Sequence, residues 1–266
     1  DGTLNVWDLV SGSAIRTLLG HAGGVRAVTL TSDGQQAVSA SYDRTLKVWD
    51  LQSGRVIRTL EGHADWVNSI VLMSNGRGAV SASADGTLKV WDLERGKVVR
   101  TLLGHAGGVR AVTLISNGLK AVSVSNDGTL KIWDLESCRA IMTLNGHAGW
   151  INSVALTSDG RRAVSASDDQ SLKVWDIQSS KLIRTLEGHA SEVRSVALTS
   201  DGRRTVSASD DQTLKVWDLE SASEICSFTG DGFIPSCAVS PDGQTIVAGE
   251  ASGRVHFLRL EGLPSS

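Results

Sequence analysis

The stretch "SASDDQSLKVWD" occupies residues 165–176, and "SASDDQTLKVWD" occupies residues 207–218. The two differ at a single position and start 42 residues apart. The Trp-Asp pair that ends each of them recurs at Trp7, Trp49, Trp91, Trp133, Trp175 and Trp217. A Gly-His pair recurs at the same interval, at His21, His63, His105, His147 and His189. A fixed period in the range of about 20–50 residues is the mark of a repeat architecture. No long segment has helical periodicity. Each unit instead breaks into four short runs of strand type, as in "VRAVTL" (25–30), "QAVSAS" (36–41), "TLKVWD" (45–50) and "RVIRTL" (55–60). Linkers such as Asp-Gly and Asn-Gly suit tight hairpins, because glycine takes positive φ without strain. Each unit is therefore predicted to be one antiparallel four-stranded sheet. Its apolar strands need cover on both faces, which stacked neighbours supply.

Bulk composition narrows the function. The 266 residues carry 26 basic and 29 acidic side chains, a net charge of −3. A nucleic-acid groove needs a surplus of Lys and Arg to displace counterions, so this balance argues against one. Cys138, Cys226 and Cys237 have neither metal-ligand spacing nor even pairing, which fits a reduced, cytoplasmic setting. There is no long apolar run of membrane-spanning type and no signal-peptide pattern. The chain starts at Asp1 inside a motif and is read as a piece of a longer protein.

Gly-His, then Ser-x-x-x-Asp and a Trp-Asp six positions after that Asp, all at a period of 42, resemble the WD40-repeat β-propellers. The resemblance covers essentially the whole chain, and the wording of the units is similar to bacterial members that form the sensor ends of large signalling proteins. It implies a single propeller domain over residues 1–266, cut at its N-terminus. Five complete sets of strands a, b, c and d begin near residues 25, 67, 109, 151 and 193. Ahead of them stand a c and a d strand (3–8 and 13–18). Behind them come "PSCAVS", "QTIVAGE" and "RVHFLRL". That makes seven c strands, and the expectation is seven blades with incomplete first and last blades. The alternative is a six-bladed ring, with the N-terminal d strand joining the last sheet and one c strand redundant.

Every full unit also holds a Ser, a His and an Asp, the ingredients of a hydrolytic triad. A catalytic site occurs once and needs an oxyanion hole and a strained nucleophile turn. This set occurs five times in step with a Trp, so no enzyme is expected. The resemblance implies structural tetrads instead: His21, Ser39, Asp43, Trp49; His63, Ser81, Asp85, Trp91; His105, Ser123, Asp127, Trp133; His147, Ser165, Asp169, Trp175; and His189, Ser207, Asp211, Trp217. A second Ser two positions on, such as Ser41, shares the strand face and competes for the role. The last unit breaks the pattern, with Asp231, Ala248, Ser252 and Leu258 in the four places, and no tetrad is expected there. His256 has no partner motif and reads as an ordinary surface or strand residue.

Whatever varies between copies is then the functional signal. Three places after each His stand Gly24, Trp66, Gly108, Trp150 and Glu192, and five places after it Arg26, Asn68, Arg110, Asn152 and Arg194. Immediately before each tetrad Asp stand Tyr42, Ala84, Asn126, Asp168 and Asp210. The resemblance places these on the top face, where the family binds peptides. Arg suits carboxylate or phosphate and Trp supplies large anchors, so a protein or peptide with acidic or apolar side chains is the expected partner, beside other domains of the parent chain. Two competing readings are that Trp66 and Trp150 are lids on their own loops, and that the Arg side chains pair with rim carboxylates. A structural or self-associating platform is the alternative function. No metal, cofactor, nucleic-acid or membrane motif appears.

Overall fold

The computed structural model describes residues 1–8, 10–115 and 118–261. Among them are 25 strands. They are β1 (Thr3–Trp7), β2 (Ala14–Leu19), β3 (Val25–Leu30), β4 (Gln36–Ser41), β5 (Leu46–Asp50), β6 (Val56–Leu60), β7 (Val67–Leu72), β8 (Gly78–Ser83), β9 (Leu88–Asp92), β10 (Lys97–Leu102), β11 (Val109–Leu114), β12 (Lys120–Ser125), β13 (Thr129–Asp134), β14 (Arg139–Asn145), β15 (Ile151–Leu156), β16 (Arg162–Ser167), β17 (Leu172–Asp176), β18 (Lys181–Leu186), β19 (Val193–Leu198), β20 (Arg204–Ser209), β21 (Thr213–Asp218), β22 (Glu224–Thr229), β23 (Ser236–Val239), β24 (Thr245–Gly249) and β25 (Val255–Arg259). Five sheets have four strands in sequence order: β3–β6, β7–β10, β11–β14, β15–β18 and β19–β22. A two-stranded sheet, β1-β2, precedes them and a three-stranded one, β23-β24-β25, follows. Neither terminal sheet has a fourth strand among the described residues. The chain divides into two compact units, one of residues 1–123 with 132–141 and the other of residues 124–131 with 142–266.

The b strands show why the sheets must stack. β4 is buried at five of its six positions and β8 at all six. Alternate side chains point to opposite faces, so these sheets are covered on both sides. Within the first unit, Val38, Ala40, Leu46, Val48 and Leu60 of one sheet pack on Val67, Ile70, Ala79 and Trp91 of the next. Val80, Ala82, Leu88 and Val90 repeat the arrangement against Val109, Val112, Ala121 and Trp133. Within the second unit, Val164, Ala166, Leu172 and Val174 meet Val193, Val196 and Trp217, and Val206, Ala208 and Leu214 meet Ile234, Ile246 and Ala248. The core is therefore a series of slabs, each lying between two consecutive sheets of one unit. Burying each Val, Leu or Ile in a slab contributes about 1.5–3 kcal/mol.

The b–c turns depart from glycine chemistry in a telling way. The residue after each tetrad Asp has positive φ, and Gly86 and Gly128 meet that demand freely. Arg44, Gln170 and Gln212 adopt it at φ near 70° despite their side chains. The tetrad Asp side chain holds these turns by accepting bonds two residues on, which offsets the cost of the left-handed conformation.

Candidate functional site

The b and c strands bring Ser and Trp side by side on one face of each sheet. The loop ahead of strand a lays the His over them. In the first full sheet, the Trp49 indole N–H donates to Ser39 Oγ at 2.8 Å. His21 Nε2 meets the same Oγ at 2.7 Å, and His21 Nδ1 meets Asp43 Oδ2 at 2.7 Å. A carboxylate only accepts, so Nδ1 carries the hydrogen, Nε2 accepts from the Ser hydroxyl, and the hydroxyl accepts from the indole. His63, Ser81, Asp85 and Trp91 make the same chain at 2.7 to 2.8 Å. So do His147, Ser165, Asp169 and Trp175, and His189, Ser207, Asp211 and Trp217. His105 and Trp133 meet on Ser123, each at 2.7 Å. Asp127 accepts from the Thr129 backbone and hydroxyl.

The competing Ser has separate work. Ser41 Oγ donates to the Gly23 carbonyl and accepts from the Asp43 N–H, so Ser39 is the residue bonded to His and Trp. The Gly of Gly-His also has a reason. A Cβ on Gly146 would stand 2.9 Å from the Trp175 ring, and one on Gly188 3.1 Å from Trp217. Sequence reasoning missed two further parts. The residue two after each Asp, Thr45, Thr87, Thr129, Ser171 or Thr213, donates its hydroxyl to the carboxylate at 2.6 to 2.7 Å. The backbone N–H after His21, His63, His147 and His189 does the same at 2.9 to 3.0 Å. The repeated hydroxyl residue was the available signal.

These bonds set the proton affinities. Burial raises the Asp43 pKa, but hydrogen bonds from Thr45, His21 and backbone N–H groups outweigh it and hold the group at about 2. Asp211 is likewise held at about 2. Asp85 and Asp169 are strongly lowered in the same way. Burial lowers the pKa values of His21 and His189, and their Asp partners only partly oppose it. All four side-chain types are thus committed to one another, and a Ser whose hydroxyl bonds both a His and a Trp is poorly placed as a nucleophile.

The variable rim positions fall into two distinct arrangements. In the first unit, the Arg26 guanidinium lies over the Tyr42 ring at 5.4 Å. On Tyr42 rests Trp66, with ring centroids 4.4 Å apart. Arg26 and Trp66 are exposed, and Trp66 is not folded down as a lid on its own strand. Asn68 spends an amide hydrogen on the Val109 carbonyl of a later sheet, and Arg110 is half-buried and engaged. In the second unit, Arg194 is clasped by Asp210 at 2.5 and 2.7 Å and reaches Asp168 at 3.1 Å. Asn152 donates to Asp168 and to the Val193 carbonyl. Glu192 accepts from Ser191. Asn126 is half-buried with a partner of its own, and Trp150 is exposed. The second reading, in which rim Arg side chains pair with rim carboxylates, therefore describes Arg194.

In the last sheet, His256 lies in strand β25, as the strand reading has it, but it is engaged there. Its Nε2 meets the buried Glu250 carboxylate at 2.8 Å, and Ser252 donates to the other oxygen at 2.6 Å. The bonds from Ser252 and His256 hold the Glu250 pKa below its usual range. A different polar cluster thus occupies the sheet that lacks a tetrad.

Sheets of four antiparallel strands, repeated with one buried polar chain per repeat, define a class of repeat protein whose units have blade form. The family model for the WD domain, G-beta repeat, matches residues 12–50, 54–92, 96–134, 138–176, 180–218 and 222–257. The chain belongs to this WD40 family, an all-β propeller family with four-stranded antiparallel blades. The repeats number six, as in the alternative count, rather than the seven first expected. Each match runs from a d strand into the next c strand, which leaves β1 outside as the surplus c strand. The first count erred by giving β1 a blade of its own. The hydrogen bonding still differs from the expected closure, because β2 pairs with β1. WD40 domains are generally non-catalytic protein-interaction scaffolds. No curated protein matches the chain.

Proposed function

We propose that this chain is a peptide-binding scaffold, and that the Arg26–Tyr42–Trp66 surface is its principal recognition site. The observation that carries this reading is the continuous cation–aromatic–aromatic face built from three positions at which the repeats disagree. A large exposed Trp resting on a Tyr is a preformed anchor, and pre-organisation cuts the entropy cost of capture. Among the described residues no carboxylate holds Arg26 as Asp210 holds Arg194, so its forked donors are available to an acidic side chain. The expected ligand is an extended segment with an apolar or aromatic residue next to Asp or Glu. The repeated quartets make the platform rigid and take no part in binding.

A peptide-display selection against the folded chain tests this. Enriched peptides are expected to pair an acidic with an apolar residue and to lose most of their affinity for Trp66→Ala and for Arg26→Ala, while both variants keep the parent circular dichroism spectrum. Peptides that bind both variants as tightly as the parent chain refute the site. A stable homo-oligomer that selects no peptide would favour the structural platform.

A further inference from the structure

The loop ahead of β23 carries a rim residue that its shortened sequence hides. The Trp150 carbonyl accepts from the Asp168 N–H at 2.9 Å, the Glu192 carbonyl from the Asp210 N–H at 3.0 Å, and the Phe233 carbonyl from the Ala251 N–H at 2.9 Å. The residues that follow them, Ile151, Val193 and Ile234, are all fully buried. Three successive sheets of the second unit thus present Trp150, Glu192 and Phe233 at one equivalent place. Trp150 is 49% exposed and Phe233 53%. The Phe233 loop is firmly held. The Ile234 N–H donates to the Ser209 carbonyl at 3.1 Å. Gly230 and Gly232 lie so close to the Glu250 carboxylate that a Cβ on either would stand 3.2 to 3.3 Å from its oxygens. The Glu250–His256–Ser252 cluster therefore braces this loop in a sheet that has no tetrad.

A bonded polar row runs across the same three sheets. Asn152 donates to Asp168 Oδ1, and Arg194 donates to Asp168 Oδ1 and to Asp210 Oδ2. Among the described residues, the second oxygen of each Asp, Asp168 Oδ2 and Asp210 Oδ1, takes no hydrogen bond. Both carboxylates keep access to solvent, at 23% and 19% of their side-chain surface. Asp168, Glu192 and Asp210 set three negative charges against the one positive charge of Arg194, an excess of two. A cationic head group finds open acceptors here on carboxylates that are already fixed in place, and its stem or planar face can lie on an aromatic ring.

We infer that this rim of the second unit is a second recognition surface, and that its ligand is a partner-protein segment in which a Lys or Arg stands between two apolar side chains. Trp150 and Phe233 take the apolar residues, and the open oxygens of Asp168 and Asp210, with Glu192 beside them, take the cation. Charge complementarity decides the occupant. An acidic segment of the kind that suits Arg26 would meet two excess negative charges here, and like charges brought together at an interface suppress binding. Arg194 is spent on aligning the two Asp side chains and is not a donor to the ligand. The braced loop under Phe233 keeps that ring in position before the ligand arrives, which lowers the entropy cost of capture. The inference goes beyond the Arg26–Tyr42–Trp66 surface and does not depend on it.

The test uses the 266-residue chain carrying Trp66→Ala, which removes the first surface, so that either reading can fail without the other. Two phage-displayed peptide libraries are selected on it, random except for a central Lys in one and a central Glu in the other. Enrichment is expected from the Lys library alone, with apolar residues on both sides of the fixed position. The best peptide, dye-labelled and followed by fluorescence anisotropy, should bind at least about tenfold more weakly to Trp150→Ala, Phe233→Ala and Glu192→Lys. Restoring Trp66 should leave its affinity unchanged, and added salt should weaken it. Both aromatic residues are half-exposed, so their variants are expected to fold, and circular dichroism checks it. Should one of them not fold, Glu192→Lys, which removes no packed ring, still decides. The inference is overturned if neither library enriches or the Glu library does as well as the Lys library. Binding indifferent to Phe233→Ala or to Glu192→Lys overturns it too. Self-association by sedimentation that Phe233→Ala abolishes also overturns it, by making a second copy the occupant.

Discussion

Replacing Ser39 by Ala deletes one oxygen atom and leaves two buried groups without a partner. The residue has no exposed surface, and its Oγ is the acceptor for Trp49 Nε1 at 2.8 Å and the donor to His21 Nε2 at 2.7 Å. An unsatisfied buried group costs about 1–3 kcal/mol, so the two together cost about 2–6 kcal/mol. The missing hydroxyl leaves only a small void, and the loss is electrostatic rather than steric. Ser41→Ala is the matched control. It removes the bonds to the Gly23 carbonyl and the Asp43 N–H, which belong to half-buried loop and turn residues within reach of water, and should cost about 0.5–1.5 kcal/mol. Urea unfolding followed by fluorescence and by circular dichroism measures both, with coincident transitions as the check on two-state behaviour. A loss for Ser39→Ala no greater than that for Ser41→Ala would refute the assignment of Ser39 to the quartet and the argument from buried polar pairing.

Acidification should destabilise the chain in two stages. His21 and His189 have folded-state pKa values lowered by burial, so below about 6.5 the unfolded state binds protons that the folded state refuses, and stability falls with pH. Asp43 and Asp211, held at about 2, add a second loss as pH drops from about 4 towards 2. A melting temperature that rises from pH 7 to pH 5 would contradict this. Gln170→Gly and Gln212→Gly should each stabilise by about 0.5–1 kcal/mol, because both residues hold φ near 70°; a loss in urea unfolding would show that their side chains support the turn. Cys226 is exposed, whereas the Cys237 sulfur lies against Ser195 and the Val206 carbonyl and burial pushes its thiol pKa up to about 12. A disulfide reagent should therefore modify Cys226 first, and equal rates would place Cys237 differently. Trp66→Ala combined with Trp150→Ala should shift the melting temperature by only a few degrees, since both rings are half-exposed; unfolding would make them scaffold.

The strands were legible because their signal is periodic. A Trp-Asp every 42 residues fixes the c strand, and the expected b strand 36–41 coincides with β4. The quartet positions were legible for the same reason, but sequence could not separate Ser39 from Ser41, which lie two apart on one strand face. The repeat number was harder. Both terminal sheets are incomplete, and a surplus c strand looks the same as the start of a blade. Least legible were contacts made by unrepeated residues. Nothing in the order of residues says that Glu250 is buried against His256, or that Asp168 and Asp210 both reach Arg194 while Arg26 lies on Tyr42. Such pairs depend on side-chain direction at turns, where no period constrains them.

Hydrogen exchange of the indole N–H groups, followed by nitrogen-15 NMR, tests the central claim most directly. If the quartets are internal struts, the N–H signals of Trp49, Trp91, Trp133, Trp175 and Trp217, each donating to a buried Ser, exchange slowly, while those of half-exposed Trp7 and Trp66 exchange within the dead time. Exchange of those five at the rate of Trp7 would mean that the polar chains open freely, and the rigid platform would have to be abandoned.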